Sequence, residues 1–224
     1  MSPLSLKVRA LGACLLVCLA VSFQARAQGG GNAHFEAGIA AYEANDLSLA
    51  YREFLAAARQ GHADSQYNLA LMYEQGLGVG QDESEAVAWY GKAAAQGNAF
   101  AQFNLGVLYE NGRGTAVDYA KANEWYRKAS VQGDALAIGN LGMLYARGQG
   151  VKQDKVAGMA LLLISVARDP SPENHARQNI GAIRGMSTAM IVEAQALSEQ
   201  MNSAKDLLDP LDGFLKKSGS GGTE

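Results

Sequence analysis

The sequence predicts an all-α fold, built as a stack of antiparallel helix pairs, and three observations predict it. The chain repeats itself with a period of 36 residues. Inside each copy, apolar residues recur at three- and four-residue steps, the spacing of one helix face. Glycine and aspartate recur at the same two points of every copy, where one helix would end and the next begin.

Residues 1–27 read as a secretory signal peptide. Lys7 and Arg9 precede an apolar run from Ala10 to Phe23, and Ala25-Arg26-Ala27 supplies a small-x-small cleavage site. The competing reading is an uncleaved anchor, for which the run is short of the roughly 20 residues a membrane helix needs. Residues 28–31 are a linker. Residues 32–62 form a shorter capping unit in which Tyr42, Ala50, Phe54 and Gly61 match Tyr73, Ala86, Tyr90 and Gly97 of the first full repeat.

The full repeats span 63–98, 99–134 and 135–170. They align without a gap: Asn68, Asn104 and Asn140 share a column, as do Tyr73, Tyr109 and Tyr145, Gly76, Gly112 and Gly148, and Asp82, Asp118 and Asp154. In the first copy helix A runs from about 64 to 75, with Leu69, Met72 and Tyr73 at helical spacing. Gly76 closes it in a left-handed conformation. Asp82 caps helix B, and Glu85 completes a capping-box pattern. Helix B is expected to bury Ala86, Trp89, Tyr90 and Ala93. Small residues at Ala70, Gly106 and Gly142 let helices approach. No single copy can cover its apolar face, so stability comes from stacking. Asp169-Pro170-Ser171-Pro172 breaks the pattern, and Ser171 and Pro172 are expected to start a further helix. Ser187 caps another, and residues 171–203 together cap the stack. Residues 204–224 read as a mobile tail.

Loss of the leader would leave 16 basic against 22 acidic residues, a net charge of −6. An acidic balance argues against a nucleic-acid partner. Cys14 and Cys18 would leave with the leader, so neither a disulfide nor a thiolate metal site is expected. His34, His62 and His175 are too scattered for a metal site. No cofactor is implied.

The copies resemble the Sel-one-like repeat family, relatives of the tetratricopeptide repeat. Gln102-Phe103-Asn104-Leu105-Gly106 and Trp125-Tyr126-Arg127-Lys128-Ala129 carry the resemblance most clearly. The third copy departs at Ile138-Gly139 and Leu161-Leu162. The resemblance implies a right-handed α-α superhelix, a solenoid with helices A on its concave face, acting as a scaffold for another protein.

Candidate groove residues follow: Asp64, Tyr67, Asn68 and Leu71; Phe100, Phe103, Asn104 and Val107; Leu136, Asn140 and Met143. Two readings stand for the asparagine column. Its amides bond a bound peptide backbone, or they bond neighbouring helices and fix the stacking. Tyr67 and Phe103 are partner anchors or ordinary packing. Trp89 and Trp125 are expected in the core, and Glu74 and Glu110 at solvated helix ends. The resemblance raises a cell-wall or β-lactam-related activity, but no Ser is followed three positions later by Lys. The expectation is therefore a non-enzymatic, monomeric envelope or secreted scaffold. It would hold a peptide or helical segment of a partner, with a host- or surface-directed factor as the alternative.

Overall fold

The computed structural model describes residues 31–220. The expected leader and cleavage site lie outside them. Among the described residues there are eleven helices and no strand. They fall into two compact units, the first ending at Asn98 and the second beginning at Ala99.

In the first unit, α1 (Gly31–Glu43) pairs with α2 (Leu47–Arg59), and α3 (Ala63–Gln75) pairs with α4 (Glu83–Ala95). The chain turns between α1 and α2 through Asn45 at φ 60°, and the Asp46 side chain caps α2. Phe54 is buried where Gly38 has no side chain; a Cβ there would lie 2.6 Å from the ring. At the A–B loop, Asp82 accepts from the Ser84 and Glu85 amides. Its own amide donates to the Tyr73 carbonyl at 3.0 Å. Gly78 combines a φ of 69° with close contact to the backbone of Leu47, so any side chain there would collide. The period of two loop glycines thus reflects one conformational need and one steric need.

The second unit contains α5 (Ala99–Asn111), α6 (Tyr119–Val131), α7 (Ala135–Arg147), α8 (Lys155–Arg168), α9 (Ala176–Ala182), α10 (Thr188–Ser203) and α11 (Asp209–Ser220). Asp118 and Asp154 repeat the device of Asp82: each caps a helix B, and each amide donates at 2.9 Å to Tyr109 or Tyr145. The loop glycine Gly150 presses on the backbone of Tyr119 and Ala120. Helices α7 and α8 approach closely because Gly142 faces Gly158; a Cβ on Gly142 would stand 2.9 Å from the Gly158 carbonyl oxygen.

The third copy departs from the pattern for a visible reason. Leu161, in the column of Trp89 and Trp125, is fully buried in a cluster with Ala194, Leu197 and Met201 of α10. The capping helix covers the outer face, and an aliphatic side chain there gains about 2 kcal/mol by burial. A second departure is paired. Within the first unit Gln96 donates to Gln66 at 2.7 Å, and within the second Gln132 donates to Gln102 at 2.8 Å. In the third copy Ile138 and Arg168 occupy those columns, so both partners change together.

Three expectations are corrected. Ser171 and Pro172 do not begin a helix. Residues 171–174 form a turn pinned by Asn174, whose amide donates to the carbonyls of Ser165 and Asp169, and α9 starts at Ala176. The expected mobile tail contains α11, anchored by the buried Leu207, Leu208 and Leu211 and by Arg127, whose guanidinium grips both Asp212 oxygens at 2.7 and 2.6 Å. Trp89 and Trp125 are only half-buried. Lys92 and Lys128 lie 3.5 and 3.9 Å over their rings, and Trp89 donates to Glu85. Each keeps part of its surface open to solvent, with a cation covering one ring face.

Candidate interaction surface

In the first unit the expected groove residues lie on α3. Asp64 accepts from the Asn98 amide at 3.0 Å. Tyr67 is 2% exposed, its ring 5.8 Å from that of Tyr90. Leu71 is buried too. Asn68 is 2% exposed, and its Nδ2 finds no hydrogen-bond partner. Of these four, only Asp64 keeps appreciable surface, so α3 presents little to a partner.

The second unit shows what the asparagine column does inside the stack. Asn140 Nδ2 donates to the Tyr126 hydroxyl at 3.1 Å, and that hydroxyl donates to Glu110 at 2.6 Å. One bonded chain therefore runs from helix A of the third copy, through helix B of the second, to helix A of the second. Burial, reinforced by the Glu110 carboxylate, holds the Tyr126 phenol well above its usual pKa. Glu74 makes the matching contact in the first unit, accepting from Tyr90 at 2.7 Å. Glu74 and Glu110 are thus partners of buried tyrosines, not merely solvated helix ends.

The capping unit breaks this chain. Phe54 stands in the tyrosine column and has no hydroxyl to offer Asn68. That explains the orphaned amide, one of six buried side-chain polar atoms left unpaired among the described residues.

Two clefts open beside these residues, both within the second unit. The first, about 220 Å³, is walled by Phe103, Leu136, Gly139 and Asn140, with residues 173–176 and Asn179 opposite. It has an apolar side and an amide-rich rim. Phe103 also packs 6.1 Å from the Tyr126 ring, and Leu136 is 37% exposed. The second cleft, about 470 Å³, places Met143 beside Arg147, Lys155 and Arg184. Phe100, Asn104 and Val107 are half-buried and line neither. The structure therefore gathers Phe103 and Asn140 in one cleft, sets Met143 in another, and buries most of the α3 set. Sequence reasoning missed Glu173, His175 and Asn179, which reach the first cleft only because α9 folds back beside α7.

No helix among the described residues is long and apolar enough to cross a membrane. No curated protein matches the sequence significantly. Among solved structures, a Sel1 repeat protein from Oxalobacter formigenes is 28% identical, with a TM-score of 0.64 over 84% of this chain and 85% of that one. A protective antigen present in uropathogenic Escherichia coli strains, displaying an SLR fold, is 26% identical with a TM-score of 0.63. That match covers 85% of this chain and 46% of the antigen, so this chain spans under half of the antigen's length. The Sel1 repeat family matches residues 63–98, 99–134 and 135–169. Sel1 repeat proteins generally act as scaffolds for protein–protein interaction and are generally non-enzymatic. The three Sel1 repeats in register, the all-helical fold and the likeness to these solved structures together identify the chain as a Sel1-like repeat (SLR) solenoid.

Proposed function

We propose that this protein is a scaffold of the bacterial cell envelope, exported by the leader at 1–27, that holds a peptide or helical segment of a partner protein. The observation that carries this reading is the cleft between Phe103, Leu136 and Asn140 and the α9 segment. It offers an apolar wall for an anchoring side chain and amides for a peptide backbone, the two elements that peptide recognition uses. Leu136 keeps surface while belonging to that wall, unlike the buried residues around it.

The test is affinity capture from cells with the wild type and a Leu136→Glu variant. The exposed position lets the variant fold, which circular dichroism and thermal melting verify. A partner held by wild type and lost by the folded variant supports the cleft as the binding site. A partner retained by the variant places binding on another face. A second reading, a surface-directed factor, draws on the likeness to a protective antigen. Fractionation separates the two readings: mature protein in the periplasm favours the scaffold, and mature protein outside the cell favours the factor.

A further inference from the structure

We propose that the cleft bearing Arg147, Lys155 and Arg184 docks an acidic peptide segment of the partner, a refinement that rests on the scaffold reading above.

The three cations come from three separate elements. Arg147 ends α7, Lys155 begins α8, and Arg184 lies in the loop after α9. All three border one cleft of about 470 Å³, whose remaining lining is Met143, Ala146, Gln153, Ala182 and Ile183. No carboxylate lines it, and none of the three cations has an ion-pair partner among the described residues. Asp154 and Glu193 border instead the neighbouring cleft that shares Gln153 and Lys155. Bringing like charges together without a counter-charge is unfavourable, and a bound anion relieves it.

The arrangement is held in place. Lys155 Nζ donates to the Arg184 carbonyl at 2.7 Å, and the loop turns at Gly185 with a φ of 72°. Arg147 and Arg184 are both exposed, so their guanidinium groups are free to take carboxylates in paired hydrogen bonds. The apolar lining suits an aliphatic side chain beside those carboxylates. Charge is also distributed unevenly along the chain. Residues 31–98 carry 3 basic and 9 acidic residues, whereas residues 99–224 carry 13 of each. An acidic ligand is therefore repelled by the first unit and accepted by the second.

The experiment uses the full chain and a fluorescein-labelled peptide of about ten residues containing glutamates and leucines, with a glutamine-for-glutamate counterpart. Binding is read by fluorescence anisotropy. The glutamate peptide binds, and binding weakens by about tenfold, or 1.4 kcal/mol, in Arg147→Gln/Arg184→Gln. Circular dichroism and melting stay unchanged in that variant. Lys152→Gln/Lys216→Gln removes the same charge outside the cleft and leaves binding intact. Equal binding of the glutamine peptide overturns the proposal. So does an equal loss in both double variants, which reports overall charge alone, and so does a preference for anionic phosphatidylglycerol vesicles over the peptide. If the peptide fails while Leu136→Glu still abolishes partner capture, the acidic specificity falls and the scaffold reading stands.

Discussion

Asn140 and Tyr126 belong to successive repeats, and the Asn140 amide donates to the Tyr126 hydroxyl at 3.1 Å. The same hydroxyl donates to Glu110, so one tyrosine joins three helices. Tyr126→Phe would leave a carboxylate and an amide without their partner. Its expected cost is about 1–3 kcal/mol, measured by denaturant unfolding with helicity unchanged. Asn140→Ala leaves the Tyr126–Glu110 bond in place and should cost less than Tyr126→Phe.

Asn68 gives the opposite prediction. Its Nδ2 is already unpaired because Phe54 lacks a hydroxyl. Replacing an orphaned buried amide by an apolar group of similar shape is close to neutral or stabilising. Asn68→Leu is therefore expected to melt at or above the wild-type temperature, whereas Asn140→Leu melts below it. Equal losses at the two positions would contradict the account of the column.

His62 makes the fold sensitive to acid. Its Nδ1 accepts from the Ser65 amide as the cap of α3, and its ring stacks 4.6 Å from Phe35. Burial lowers its pKa, partly offset by Asp64 and Glu36. A base with a lowered folded pKa binds fewer protons folded than unfolded, so its contribution is present above the unfolded value of about 6.5 and is lost as pH falls. Stability should thus decline from about pH 7 to pH 5, and the decline should be smaller in His62→Asn, which keeps a capping side chain. An unchanged slope in the variant would show that other groups carry the effect.

The Arg127–Asp212 pair ties α11 to α6. Asp212 is partly exposed, so the pair contributes little to global stability. Asp212→Asn should speed amide hydrogen exchange in residues 209–220 while leaving α7 and α8 protected.

The repeat, its helix caps and its loop glycines were legible because each is written locally in the sequence. Asp82, Asp118 and Asp154 stand at helix starts where an orphaned amide needs an acceptor. Other features depend on distant packing. Trp89 resembles a core residue by spacing, yet only the position of a further helix decides whether that column is covered; α10 covers Leu161. The signal for α11 was present in Leu207, Leu208, Leu211, Phe214 and Leu215, which share a helical face, but Pro210, Gly213 and the polar end obscured it. The first cleft was half legible. Phe103 and Asn140 follow from the period, while Glu173, His175 and Asn179 arrive through an irregular turn that no period encodes. Arg147, Lys155 and Arg184 lie on three elements, and only the fold brings them together.

The central claim, that the helix-A side of the second unit holds a protein partner, is tested most directly by site-specific photo-cross-linking in cells. A benzoylphenylalanine is placed at position 136, in the wall of the first cleft, and separately at position 192, where Val192 is exposed on α10 outside both clefts. The account predicts a discrete adduct from position 136 that is missing from position 192. No adduct from position 136, or the same adducts from both positions, would contradict it.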